Sequence, residues 1–184
     1  KVAITPRTVI ELFKLNAVFD NLALPTDNTR KCHIEMRPEI PGAYKGLIYC
    51  LSLSEAQEIV SLVQPVVNSL IDKDIPISIK RGCSEFPLAY PDYGHVGENG
   101  SSLMTYDSAW KVKEALANNN FIESKNQLII DTHNHQGQTI QDVLIMRSWL
   151  KYAAAIEDLS YLKVSGAPLD KLNIEGREPF QNSI

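Results

Sequence analysis

Apolar residues recur along the chain at two spacings, which predict an alternation of strands and helices. Residues 31–37 and 75–81 alternate apolar with polar positions, as in strands with one solvent-facing side. Residues 46–52 lack this alternation, which favours burial on both faces, and 126–131 form a further apolar strand. Because helices separate most of these segments, we expect one small, partly parallel mixed sheet of about four strands, with an antiparallel hairpin formed by the first two at its edge. The fold class is α/β (or α+β).

Four longer helices are predicted from apolar positions at helical spacing and from side chains that can cap a helix. They are expected to begin at Thr5–Pro6, Ser52, Asp107 and Thr139, and to end near Pro25, Asp72, Asn118 and Asp158. Pro65 should kink or divide the second helix. The apolar centre of the last helix, residues 143–146, predicts a deep position between neighbouring elements. Residues 82–105 show no periodicity, and a loop of this length is usually functional or mobile.

Composition sets limits on the class of protein. The 184 residues, 44% of them hydrophobic, carry a net charge of −4. We therefore expect one domain over residues 1–165 and a tail over 166–184 that is surface-bound or partly disordered. No nucleic acid partner is expected, because no excess of positive charge attracts phosphate, and no membrane partner is expected. Three widely spaced cysteines indicate reduced thiols and a cytoplasmic location: Cys32, Cys50 and Cys83.

Polar side chains follow three of the predicted strands at the points where these strands end. They are Ser52 and Ser54, then Arg81, Gly82, Cys83, Ser84 and Glu85, and finally Asp131, Thr132, His133 and His135. Ligands of open α/β sheets bind beyond the carboxyl ends of the strands. If the three strands run in the same direction, a polar site forms from residues 81–95 and 131–135.

The sharpest local pattern is formed by Asp131, His133 and His135, whose side chains share one face of an extended backbone. Two imidazoles and a carboxylate suit a divalent metal ion such as zinc or manganese. The pattern resembles the D-x-H-x-H motif at a strand end in amidohydrolases and PHP-type metal-dependent hydrolases. Those families take further histidine ligands from later strands, and no histidine follows His135, so only the local ligand geometry is retained. The alternative is a turn at Asp131 with both histidines hydrogen-bonded in the following loop.

Two enzymatic hypotheses follow from these residues. In a metal-dependent hydrolase, Asp131, His133 and His135 would hold the ion, and Glu85 or His95 would transfer the proton. In a thiol hydrolase, Cys83 would be the nucleophile. The imidazole of His133 or His95 would take the proton of its thiol, with Asp131 orienting the ring.

A third hypothesis is a non-catalytic module that binds a small-molecule ligand or a protein partner. The aromatic side chains of the 82–105 loop would then form the contact surface: Phe86, Tyr90 and Tyr93. Lys80 and Arg81, next to Gly82, could hold an anionic ligand, although such a pair is a weak signal by itself. The sequence leaves the substrate and the oligomeric state open.

Overall fold

The computed structural model describes residues 1–26, 28–83, 85–91 and 138–170, with isolated helical positions between 109 and 119. The described strands are β1 (Val2–Ile4), β2 (Arg30–Ile34), β3 (Tyr44–Ile48) and β4 (Ile77–Ile79). The helices are α1 (Val9–Asn21), α2 (Leu53–Leu70), α3 (Phe86–Ala89), α4 (Ile140–Ala155), a 3₁₀ helix (Leu159–Tyr161) and α5 (Leu162–Ser165). The predicted class, a small four-stranded sheet flanked by helices, is confirmed.

The four strands lie in the order β2–β3–β1–β4, and every described pairing is antiparallel. The β2–β3 hairpin at the edge agrees with the prediction. The expected parallel pairing is absent from the described strands because β1 lies between β3 and β4. Both of these strands are antiparallel to β1, so they run in the same direction and end at the same edge of the sheet. The sequence analysis did not predict β1, because three residues are too few to show the alternation of a strand. The predicted 126–131 strand lies outside the described residues.

One face of the sheet packs on α1 and α2. The first core cluster includes Val2 and Ile4 of β1, Ile48 of β3, Leu15 and Phe19 of α1, and four residues of α2: Ala56, Ile59, Val63 and Val67. Gly46 of β3 lets α1 come close, because a Cβ at this position would lie 2.4 Å from Leu15 Cδ2. A side chain here would therefore overpack the core.

A second core cluster joins α4 to α1 and to the start of β3. Trp149 lies against Phe13, with ring centroids 5.9 Å apart, and Tyr152 meets Tyr44 edge to face at 6.2 Å. Below them the buried carboxylate of Asp158 accepts hydrogen bonds from the Val9 amide (2.7 Å), the Tyr44 hydroxyl (2.7 Å) and the Ser160 amide (3.0 Å). Asp158 thus ties the start of α1 to the sheet and to the segment after α4.

Two of the predicted helix starts are confirmed and one is wrong. Ser52 and Thr139 cap α2 and α4, each accepting a hydrogen bond from the amide three residues later. The first helix is capped by Thr8 instead of beginning at Thr5–Pro6, because the residues before it belong to β1 and its exit. Pro65 lies inside α2, which continues without a break to Leu70. The described positions between 109 and 119 are helical, as predicted.

The burial expected for the apolar centre of the last predicted helix is wrong. Val143, Leu144 and Ile145 of α4 are 56%, 57% and 40% exposed, because the helix buries its second half instead. Val112 and Leu116 are also exposed. The helical spacing of apolar residues therefore predicted where the helices lie, but not which of their residues are buried.

The predicted 31–37 strand ends at Ile34, so the alternation of its two faces does not continue into residues 35–37. β2 stops at Ile34, and beyond it Glu35 is buried while Met36 is 54% exposed. His33, expected on the solvent-facing side, is partly buried, and burial lowers the pKa of its imidazole, helped by the positive charge of Lys31. Alternation cannot be extrapolated past the last hydrogen-bonded residue of a strand.

Candidate ligand-binding cavity

A cavity of about 530 Å³ opens where β3 and β4 end and α2 begins. It is lined by Lys1, Tyr49, Cys50, Leu51, Ser52, Leu53, Ala56, Ile79, Lys80, Arg81 and Gly82. Two of the three polar clusters predicted at strand ends, at Ser52 and at Arg81–Gly82, therefore meet here. They meet because β3 and β4 run in the same direction on either side of β1. The volume lies in the usual range for small-molecule sites.

A hydrogen-bonded network fixes the wall of the cavity at the start of α2. Ser52 Oγ accepts from the Glu55 amide at 3.1 Å, and the Glu55 carboxylate accepts from the Leu51 amide. Asn28 Nδ2 joins this carboxylate (2.8 Å) to the carbonyl oxygen of Tyr49 (2.9 Å). Hydrogen bonds from Thr26 and Asn28 lower the pKa of Glu55, so the carboxylate is ionised and committed to the cap.

Positive charge dominates the described part of the wall. Lys1, Lys80 and Arg81 line the cavity, and no carboxylate is among its described lining residues. Lys1 and Lys80 exchange backbone hydrogen bonds (3.0 and 2.9 Å), which places both side chains on the same face of the sheet. Lys31 extends this group, since its Nζ lies 5.7 Å from the ring centroid of Tyr49.

The ammonium group of Lys1 has an unfavourable environment. Burial lowers the pKa of its side chain, Cys83 opposes this effect, and the positive charges of Lys31 and Lys80 lower the pKa further. Like charges are thus held together at this edge by the strand pairing. A bound anion would relieve their repulsion.

The apolar part of the cavity comes from Leu53 and Ala56 of α2 and from Ile79 of β4. Cys50 adds a thiol whose pKa is raised by burial, which favours the neutral form. Gly82, with φ of +64°, turns the chain away from the sheet just after Arg81. The cavity therefore combines an apolar wall with a cationic rim.

The sequence-predicted site residues are only partly described. Cys83 is exposed just beyond the cavity, and its thiol is not bridged to another cysteine. Glu85 forms an ion pair with Arg37, which also holds Glu35. The proposed proton donor or acceptor Glu85 is thus engaged by an arginine and is not among the described lining residues of the cavity.

The remaining candidates fall outside the described residues: His95, Asp131, His133 and His135. Their roles as proton-transfer group and metal ligands stay predictions. Within the described ranges, no three His, Cys, Asp or Glu side chains are grouped so as to hold a metal ion. Of the predicted aromatic contact surface, Tyr90 is 51% exposed and Tyr93 lies outside the described part.

Sequence reasoning missed Lys1, Tyr49 and Cys50 as site residues, and it weighed Lys80 and Arg81 only as a weak pair. The polar residues after the second predicted strand were the feature of the sequence that pointed to the sheet edge where the cavity opens.

Among the described helices, none is both long and apolar enough to cross a membrane. Comparison of the chain with protein-family models, with curated proteins and with solved structures finds no match.

Proposed function

We propose that this protein is a non-catalytic module that binds a small organic anion in the cavity at the ends of β3 and β4. The observation that carries this proposal is the set of lining residues: an apolar floor from Leu53, Ala56 and Ile79 and a rim that includes Lys1, Lys80 and Arg81, with no carboxylate among the described lining residues. An amphipathic anion satisfies both parts at once. Its apolar body covers the floor, and its charged group meets the rim.

The start of α2 supports the same ligand class. The first amides of a helix have no partner within the helix and point outward from its positive end. Here the residues that line the cavity include Ser52 and Leu53, the cap and the first residue of an 18-residue helix. Glu55 offsets part of this positive potential, so the lysines and the arginine supply most of the attraction.

The test uses 1-naphthalenesulfonate, a fluorescent monoanion with an apolar body, and 1-naphthol as its neutral counterpart. We expect saturable binding of the sulfonate by isothermal titration calorimetry, weakened by added salt. Lys80→Gln should weaken it about fivefold, the loss expected for one partly exposed charge. Lys14→Gln, which removes an exposed lysine on α1, is the matched control and should leave the affinity unchanged.

Absence of saturable sulfonate binding would rule out this function. Equal affinity for the sulfonate and for naphthol would also contradict it, since the rim would then contribute nothing. An equal loss with Lys14→Gln and Lys80→Gln would indicate a general charge effect in place of a site.

The enzymatic hypotheses keep their own tests. A metal-dependent hydrolase predicts zinc or manganese in the purified protein and its loss in His133→Ala or His135→Ala. A thiol hydrolase predicts that Cys83 reacts with iodoacetamide faster than Cys50, beyond what its exposure alone explains.

Unbridged Cys32, Cys50 and Cys83 support the cytoplasmic location that the sequence predicts.

A further inference from the structure

We propose that the face of the sheet opposite α1 and α2, here called the second face, binds a single strand of nucleic acid. This inference goes beyond the proposed function, because it concerns a surface that extends past the cavity and a polymeric ligand. The net charge of −4 argues against nucleic acid for the chain as a whole. The described sheet nevertheless gathers lysines on one of its faces, and the proposal starts from this separation of charge.

The alternation of the strands assigns their lysines to the second face. Val2, Ile48 and Ile79 lie in or against the first core cluster, beside α1 and α2. Successive side chains of a strand point to opposite faces, so the neighbours of these three residues point away from the helices. Those neighbours are Lys1, Ala3, Leu47, Tyr49, Ser78 and Lys80. Lys31 of β2 lies on the same face, since its Nζ is 5.7 Å from the ring centroid of Tyr49.

The helices on the other side of the sheet carry the opposite charge. Together α1 and α2 contain four acidic residues and one lysine: Glu11, Asp20, Glu55, Glu58 and Lys14. Among the described strand positions that alternation assigns to the second face, none is Asp or Glu. The net charge of the chain therefore conceals a positive sheet face behind a negative helix layer. A polyanion is attracted to the first and repelled by the second.

The exposed part of the second face is a row of side chains that crosses the strands near the cavity. Lys1 and Lys80 exchange backbone hydrogen bonds of 3.0 and 2.9 Å, and the register of β1 and β3, continued by one residue, places Tyr49 opposite Lys1. Lys31 and Lys80 are exposed, and Tyr49 is 40% exposed. Further along β3, Leu47 is buried. The surface offered to a ligand is thus this row and not the middle of the sheet.

The length of the row suits a chain of phosphates better than one compact anion. Adjacent strands are about 4.8 Å apart, so a row from β2 to β4 spans about 14 Å. Burial lowers the pKa of the Lys1 ammonium, and the positive charges of Lys31 and Lys80 lower it further. These lysines therefore repel one another along the row. Successive phosphates of an extended strand can meet them in turn, without bringing them to a single point.

Tyr49 favours a nucleic acid over an acidic protein segment as the occupant. Its ring is partly exposed, with the Lys31 ammonium beside it and Lys1 on the next strand. Bases of any identity stack on aromatic rings, and grooves that bind single strands combine such rings with positive charge. An acidic peptide would use the lysines and leave the ring without a role. The row offers both kinds of contact that each nucleotide requires.

The test measures binding of a fluorescein-labelled oligonucleotide of about 12 thymidines by fluorescence anisotropy at several salt concentrations. We expect a Kd in the range of about 10 to 100 μM at low salt. Each phosphate contact of a single strand adds about −0.7 to the slope of log K against log salt, so three lysines predict about −2. Lys31→Gln, outside the described lining of the cavity, should bring the slope to about −1.4. Lys14→Gln, on the helix side, should leave it unchanged.

Tyr49→Leu separates stacking from charge. It should weaken binding of the oligonucleotide about fivefold and leave the salt slope unchanged, because loss of stacking releases no counterions. Polyglutamate of similar length should bind more weakly than the oligonucleotide and should not respond to Tyr49→Leu. Circular dichroism checks that each variant keeps the fold of the unmodified protein.

The outcomes separate this inference from the proposed function. Absence of saturable oligonucleotide binding would overturn it, and the cavity function would stand if 1-naphthalenesulfonate still binds. Equal salt slopes in Lys31→Gln and Lys14→Gln would also overturn it. Polyglutamate that binds as tightly as the oligonucleotide would assign the face to an acidic protein, and tighter binding to phosphatidylserine vesicles would assign it to a membrane surface. Either result would overturn the nucleic acid assignment.

Discussion

At the end of the sheet where β2 leads into β3, buried carboxylates are surrounded by donors, whereas at the end where β3 and β4 finish, cations gather around a cavity. The first region, called the carboxylate end, comprises Glu35, Tyr44, Tyr152 and Asp158. Asp158 accepts three hydrogen bonds, and Glu35 receives both N–H arms of Arg37. The Tyr152 hydroxyl donates to the Glu35 carbonyl oxygen at 2.6 Å.

The second region, called the cation end, comprises Lys1, Lys31, Lys80 and Arg81. Its charges have the same sign, and three of its members, Lys1, Lys80 and Arg81, line a space large enough for a ligand. Hydrogen bonds to the carboxylates hold the second core cluster to the sheet, because breaking one of them would leave a buried polar group unsatisfied. The like charges of Lys1, Lys31 and Lys80 at the cation end repel one another, so they add little to stability and favour a bound anion. The two ends should therefore respond oppositely to loss of a charge.

The largest effect should come from Asp158→Ala. Removing the carboxylate leaves the Val9 amide, the Tyr44 hydroxyl and the Ser160 amide without their acceptor in a buried site. We expect the free energy of unfolding to fall by about 4 kcal/mol, measured by urea denaturation. Asp74→Ala, at an exposed position, is the control and should change it by less than about 0.5 kcal/mol. A loss as small as that of the control would show that the carboxylate end is not a stability centre.

Tyr44→Phe removes one of the three donors and keeps the buried ring. A hydrogen bond to a charged acceptor contributes about 2 kcal/mol, so the free energy of unfolding should fall by about this amount. The binding of 1-naphthalenesulfonate should not change, because Tyr44 lies at the opposite end of β3 from the cavity. A parallel loss of sulfonate binding would mean that the two ends are coupled, which would break the comparison.

Glu35 gives the carboxylate end a dependence on pH. Hydrogen bonds from Arg37 lower the pKa of this carboxyl from 4.5 to about 2. The folded state thus holds its proton less tightly than the unfolded state. The stabilisation is complete above about pH 4.5 and is lost as the pH falls toward 2.

Glu35→Gln should therefore lower the free energy of unfolding by about 1.5 kcal/mol near neutral pH. The value is below the full shift because the Arg37 side chain is 42% exposed and solvent screens the pair. Urea titrations from pH 7 to pH 2 should show the variant and the unmodified protein converging. Glu39→Gln, on the exposed turn nearby, is the control. A constant difference across this pH range would contradict the assignment.

The sequence predicted the sheet class and pointed to the strand ends where the cavity opens, but it offered Lys80 and Arg81 only as a weak pair and Lys1 not at all. The helix starts at Ser52 and Thr139 could be predicted because a capping side chain and the amide that it binds are only three residues apart. The contributions of Lys1 and Tyr49 depend on strand pairing across long separations, which local patterns do not contain. Glu35 was assigned to the wrong side because β2 ends one residue before it. The histidine cluster at 131–135 lies outside the described residues and stays a prediction.

The smallest effect on stability should come from Lys80→Gln, and its sign should be opposite to that of the carboxylate-end variants. Lys80 is exposed and lies beside Lys1, whose pKa is lowered by burial and further by its positive neighbours. Removing one like charge should leave the free energy of unfolding unchanged or raise it by less than about 0.5 kcal/mol. Added salt should shrink this gain, since it screens the repulsion. The same variant should lose sulfonate affinity, so that stability and binding move in different directions. Clear destabilisation by Lys80→Gln in the absence of ligand would mean that an acidic partner within the chain already satisfies this lysine, and the contrast between the two ends would then fail.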